Sequence, residues 1–283
     1  MPFPLPHFIE VWVWKNQFLR EYADFTFIAE AVARDLARQN IRYAEIFCSP
    51  PDFVRHGLET QRLIEAISAG LVQVKETEIA IVVDLVRDFG PKQAATTLAE
   101  VYETREYGVV GVGIGGSEQR EPPAQFKQVF HTARTMGFHT SAHAGEAAGA
   151  HSIWGAINAL QVERIDHGTR AEEDEHLVEY LAAQCVPIEM CPLSNLPTGV
   201  VARIEDHPVR RYFERGLVVT INTDDPTMFG SSLAEEYALL EQQLGFSRDD
   251  IRTLILQGIQ AAWLPDERKQ ELTNVFAHDP HWL

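Results

Sequence analysis

Hydrophobic and polar positions follow two alternating periods along the chain. Short apolar or β-branched runs occur at Arg42 to Phe47, Ile79 to Leu85, Val109 to Gly115, His139 to His143, Arg164 to His167, Val186 to Met190 and Leu217 to Asn222. Longer stretches with helical spacing separate them. Phe25 to Arg38 aligns Phe27, Ile28, Ala31, Val32 and Leu36, and Leu58 to Glu76 and Phe126 to Met136 are further amphipathic candidates. Strands alternating with helices predict a parallel sheet covered by helices, an α/β class. The pattern yields seven strands, one fewer than a closed (β/α)8 barrel. The Pro-rich start (Pro2, Pro4, Pro6) and the tail from Ala277 read as loose ends. No repeat or linker divides the chain, so one barrel domain over 1–283 is expected.

Composition narrows the function classes. The 283 residues are 45% hydrophobic, enough for a barrel-sized core. Lys and Arg number 24 against 41 Asp and Glu, a formal charge of −17. Such a surface repels phosphate backbones and anionic lipid, so no nucleic-acid polymer and no membrane is expected as a partner. Cys48, Cys185 and Cys191 form no CxxC pair, which indicates neither a disulfide framework nor a thiolate zinc site, and a cytoplasmic protein is expected. No apolar run approaches the roughly 18 residues of a membrane span.

Ionisable residues crowd at the C-terminal ends of the last strands, where barrel enzymes carry their chemistry. One run ends in His143-Ala144-Gly145-Glu146, the next in Asp166-His167-Gly168, the next in Cys191-Pro192-Leu193-Ser194-Asn195, and the last in Asn222-Thr223-Asp224-Asp225-Pro226. Singly, each has a bland reading. A lone strand-end histidine is commonly structural, and Asp-Asp-Pro suits a helix cap or Asx turn. Four in succession favour a site, because adjacent carboxylates after an apolar strand ask for a cation or hydrogen-bond donors. Gly111, Gly113, Gly115 and Gly116 lack the context of a dinucleotide loop. Trp12 and Trp14 read as packing residues or a lid, and Glu172 to Glu175 as a solvated helix start.

The ordered set Ser141–Glu146, Arg164–Gly168, Cys191–Asn195 with Thr198-Gly199, and Asn222–Pro226 resembles the signature of the adenosine deaminase family, metal-dependent purine deaminases of the amidohydrolase superfamily. The resemblance extends to Tyr43–Pro50, to Gly113–Glu118 and to the start through Lys15–Leu19. It implies a (β/α)8 barrel with zinc as cofactor, His143 and Asp224 being zinc ligands. Glu146 would exchange a proton with purine N1, His167 would orient and help activate water, Asp225 would hydrogen-bond N7, and the Gly116 backbone would approach N3. The implied reaction is hydrolytic removal of the 6-amino group of adenosine, giving inosine, with a small-molecule purine nucleoside as the partner.

Two departures qualify this picture. Members of the family carry a His-x-His-Leu motif at the end of the first barrel strand, and this chain has no His-x-His spacing. A barrel lacking its first strand is therefore expected, with two unpaired edges, apolar interior side chains, weakened zinc binding and a sequence that starts late. Phe47 stands where adenosine deaminases usually have arginine, and Glu45-Ile46-Phe47 is closer to adenine deaminases. Adenine or aminodeoxyfutalosine deamination, and a nucleoside-binding protein without turnover, are the alternatives.

Overall fold

The computed structural model describes residues 5–282. Seven strands appear where the hydrophobic runs place them: β1 (Tyr43–Cys48), β2 (Glu78–Asp84), β3 (Val109–Gly113), β4 (His139–Ala144), β5 (Arg164–His167), β6 (Ile188–Met190) and β7 (Val219–Ile221). They pair in sequence order, every pair parallel, from β1 to β7. Among the described residues β1 and β7 do not pair with each other, so the sheet is a curled, open half-barrel.

The covering helices are α1 (Leu5–Asn16), α2 (Tyr22–Arg38), α3 (Thr60–Leu71), α4 (Gly90–Tyr102), α5 (Lys127–Thr135), α6 (Ala150–Gly155), α7 (Glu175–Ala183), α8 (Val209–Glu214), α9 (Leu233–Gln243), α10 (Arg248–Ala261) and α11 (Asp266–Ala277). The segment Glu172 to Glu175 does open a helix: Asp174 caps α7 by accepting from the His176 and Leu177 amides, while Glu172 and Glu175 pair with Arg211 and Arg215. No described helix is long and apolar enough to cross a membrane, and all three cysteines are free.

Pleat alternation sorts the strand residues onto two faces. Ile81, Val83, Ala142, Ala144, Ile165, Ile188, Met190, Val219 and Ile221 belong to the hydrophobic core. The residues between them meet across the concave side. There Arg164 of β5 contacts Glu45 of β1 at 2.6 Å and Glu189 of β6 at 2.9 Å, with the Trp263 ring 3.4 Å from the guanidinium carbon. A β5 side chain can reach β1 only because the sheet curls. The expectation of an apolar interior is thus corrected: that face carries a buried ionic layer, and the apolar core lies between sheet and helices. Burial with the neighbouring Asp166 and Glu45 pushes Glu189 up to about 8, against the pull of Arg164.

The ends are also more ordered than a Pro-rich start suggests. Pro2 and Pro4 lie outside the described residues, but Pro6 falls in the first turn of α1, where a missing N–H costs nothing. Phe8 of that helix stacks on Phe229 at 5.1 Å, and the Trp12 indole donates to Asp52 at 3.0 Å. The first contact ties α1 to the segment after β7 and the second to the segment after β1. Trp14, by contrast, is 59% exposed and meets Phe18 edge-on. Beyond Ala277 a single turn, Pro280–Trp282, brings Trp282 to 5.1 Å from Phe276.

Candidate functional site

The C-terminal ends of β4, β5 and β7 converge on one cavity of about 2360 Å³, which His143, Glu146, His167, Asp224, Asp225 and Gly116 all line. Donor atoms of Glu146, His167 and Asp224 lie within 4.8 Å of one another. His167 Nε2 is 3.8 Å from a Glu146 carboxylate oxygen, and the His143 and His167 rings are 4.9 Å apart. His143 sits beside this trio rather than within it.

Local backbone geometry creates the convergence. In a regular strand Asp166 and His167 would face opposite sides, yet both face the site: Asp166 contacts His143 and His167 approaches Glu146. His167 has φ 67°, left-handed, which breaks the alternation at the end of β5, and Asp224 after β7 has φ 55°. Such conformations cost a side-chain-bearing residue roughly 1–3 kcal/mol and survive where surrounding contacts impose them. Gly116 (φ 95°) follows β3 with Asp88 packed so closely that a Cβ would collide with its carboxylate. The flanking amides of Gly115 and Ser117 donate to Asp84 and Asp88, whereas the Gly116 N–H has no acceptor among the described residues.

His143 is oriented from behind. Its Nδ1 lies 2.9 Å from Asp166 Oδ2, a contact that leaves Nε2 for the cavity, and Ser141 also donates to that oxygen at 3.2 Å. Burial alone would lower the His143 pKa, but the hydrogen bond with Asp166 and the charges of Asp166, Asp84 and Glu146 hold it up to about 10. Burial raises Glu146 above the ordinary glutamate range; Asp224 adds to that shift and His167 and His143 oppose it. Asp225 is pushed up to about 7 by burial and by Asp224, with Lys15 opposing. A carboxyl that titrates at about 7, as Asp225 does, can donate to a ring nitrogen, a task unavailable to an ionised carboxylate. Among the described residues His167 Nδ1 is buried without a hydrogen-bond partner, and imidazole nitrogen with carboxylate oxygen is a donor chemistry that suits zinc.

Several contacts around the site escaped the sequence reading. Arg87, fully buried, donates to the carbonyls of Ile114, Gly115, Glu121 and His143, which joins the ends of β3 and β4. Glu236 accepts from the Leu193 amide at the Cys191–Asn195 turn, and Asn195 links Thr169 to His207. Lys15 rests 3.4 Å above the Trp12 ring, with Asn16 holding Asp52 below it. Asn195 belongs to the Cys191–Asn195 motif and Lys15 and Asn16 to the resembling start, but Arg87, Glu236, Thr169 and His207 carry no motif. Charged residues within otherwise apolar or glycine-rich runs were the one available signal. Phe47, which did attract attention, meets His143 edge-on at 5.9 Å.

The family model described as adenosine deaminase matches residues 2–278. An aminodeoxyfutalosine deaminase of Streptomyces coelicolor is 34% identical over 98% of this chain and 73% of its own length. An adenine deaminase of Wolinella succinogenes is likewise 34% identical, over 94% of this chain and 81% of its own. Among solved structures, an adenine deaminase from Arthrobacter aurescens superposes with a TM-score of 0.92 at 29% identity, over 97% of this chain and 84% of that one. An amidohydrolase from Burkholderia ambifaria with bound Zn gives a TM-score of 0.88 at 28% identity, over 93% and 74%.

Proposed function

Since the chain belongs to the adenosine deaminase family of hydrolytic deaminases, we propose that it removes the 6-amino group of a purine, with adenosine the first substrate to test. The observation that carries this reading is the convergence of Glu146, His167 and Asp224 on one point, beside a His143 whose Nε2 is left toward the cavity. Glu146 delivers its proton to purine N1, which makes C6 electrophilic. His167 orients the attacking water on the side of C6 shared with Glu146. Asp225 donates to N7, and the unpartnered Gly116 N–H meets N3. His143 and Asp224 would hold zinc, which would supply Lewis-acid polarisation beside C6 when bound.

Adenine is the second reading, and the edge of Phe47 against His143 favours it, since an apolar ring there offers no charge to a sugar or tail. Ammonia release should be measured on adenosine, adenine and aminodeoxyfutalosine with zinc supplied. Preference by at least about tenfold for adenosine supports the first reading, and the same margin for adenine supports the second. Purine binding without ammonia from any of the three would leave a binding protein instead.

A further inference from the structure

The loop that carries Glu146 is clamped by a carboxylate from another strand end. Glu118, on the segment after β3, is 5% exposed and accepts from four consecutive amides. Gly145 N donates to Oε1 at 2.5 Å, and Glu146 N, Ala147 N and Ala148 N donate to Oε2 at 3.2, 2.7 and 3.0 Å. Successive amides converging on one point form an anion-binding concavity. In this protein a side chain of the chain itself fills it.

The clamp is anchored in turn. Gly115 N donates to Asp84 at 2.6 Å, Ser117 N donates to Asp88 at 2.7 Å, and the Ser117 hydroxyl donates to Asp88 as well. Arg87 is close enough for the Glu118 charge to act on it, and its guanidinium donates to His143 O at 2.7 Å. The clamped segment has little stiffness of its own. It runs Gly-Glu-Ala-Ala-Gly over 145–149, with Gly145 at φ 76° and small side chains on both sides of Glu146. Removing the acceptor would strand several partly buried N–H groups, and the loop would relax to find others.

We propose that Glu118 is a positioning residue: by fixing the amides on either side of Glu146, it sets where that carboxyl stands in the cavity. The inference rests on the reading of Glu146 as the proton donor. Two measurements on the full chain test it, amide hydrogen exchange over 143–150 and steady-state kinetics on the preferred 6-aminopurine, in Glu118→Gln, Glu118→Asp and Glu118→Ala. Exchange over Leu177–Leu181 serves as the internal reference for global stability.

In Glu118→Gln, exchange at 145–148 should speed up by about tenfold or more while the reference is unchanged, because hydrogen bonds to a charged acceptor are being weakened. The same variant should lose about 30- to 100-fold in kcat with KM within about threefold, as expected for misplacement of a reacting group. Glu118→Asp, which keeps the charge on a shorter stem, should recover part of both. Unchanged exchange at 145–148 overturns the proposal, and so does faster exchange with an unchanged kcat. If Glu118→Ala does not fold, the near-isosteric Gln variant decides. If Glu146→Gln keeps full activity, the proton-donor reading has failed. Exchange then still determines whether Glu118 holds the loop.

Discussion

The two halves of the sheet use acidic residues in opposite ways. After β2 and β3, carboxylates turn onto backbone: Asp84 and Asp88 hold the Gly115–Ser117 segment, and Glu118 holds the next loop. At the ends of β4, β5 and β7, Glu146, His167 and Asp224 turn their donor atoms toward one another and the cavity. One half spends its charge on rigidity, while the other keeps it available for a ligand. A carboxylate whose oxygens are taken up by amides has little left to offer a ligand, whereas Glu146, buried with no such amides facing it, has its pKa raised by burial. Similar side chains thus acquire different work from the number of N–H groups facing them.

The largest effect should come from the available half. Glu146→Gln should lower kcat by about a thousandfold or more with melting unchanged, the scale on which removal of a proton-transferring group acts. A kcat within tenfold of the parent would remove Glu146 from the chemistry. Asp224→Asn should weaken zinc binding by at least about tenfold, measured by competition with a chelator, and relief of the left-handed strain by asparagine should keep the fold. If zinc affinity does not change, Asp224 is a turn residue after all.

The supporting half should fail through stability instead. Arg87→Met should cost about 3 kcal/mol or more in a denaturant melt, since four carbonyls lose their buried donor. A cost below about 1 kcal/mol would mean that the ends of β3 and β4 hold together without it. A smaller, pH-dependent effect attaches to the ionic layer. Glu189 titrates at about 8 in the folded chain against 4.5 normally. The folded state therefore binds the extra proton between those values, and stability falls as pH rises from about 4.5 to 8. Melting curves of Glu189→Gln should lack that part of the slope; an identical slope would place the titration elsewhere. Least of all, Phe27→Ser at a position 73% exposed should shift stability by no more than about 0.5 kcal/mol. A larger loss would mean that α2 packs against a surface outside the described residues.

Every strand was legible because each combines an apolar or β-branched run with a flanking turn signal, as in Ile79 to Leu85 against β2 at Glu78–Asp84. Strand limits were less so. Val186 and Leu217 extend their runs but precede β6 and β7, because apolar periodicity reports burial and not ladder hydrogen bonding. The first helix was hidden by its prolines, and the polar concave layer could not be read from strands whose Glu, Arg and Asp residues find partners only across the curl. The candidate cavity residues were legible as strand-end motifs. Their supporting contacts were not: Asp84 and Asp88 carry no motif, and Glu118, though it closes the resembling Gly113–Glu118 stretch, meets the loop of Glu146 only in the fold.

By itself the sequence determined the alternation of strands and helices, the family and the chemical groups brought to the strand ends, because periodicity and residue type are local properties. Tertiary structure alone decided which of those groups meet and which are neutralised by backbone. The clamp at Glu118 and the contact of Arg164 with Glu45 join residues far apart in the chain, and the left-handed turns at His167 and Asp224 persist only where surrounding contacts impose them. Their energies depend on distance and burial, quantities that exist only once the sheet has curled.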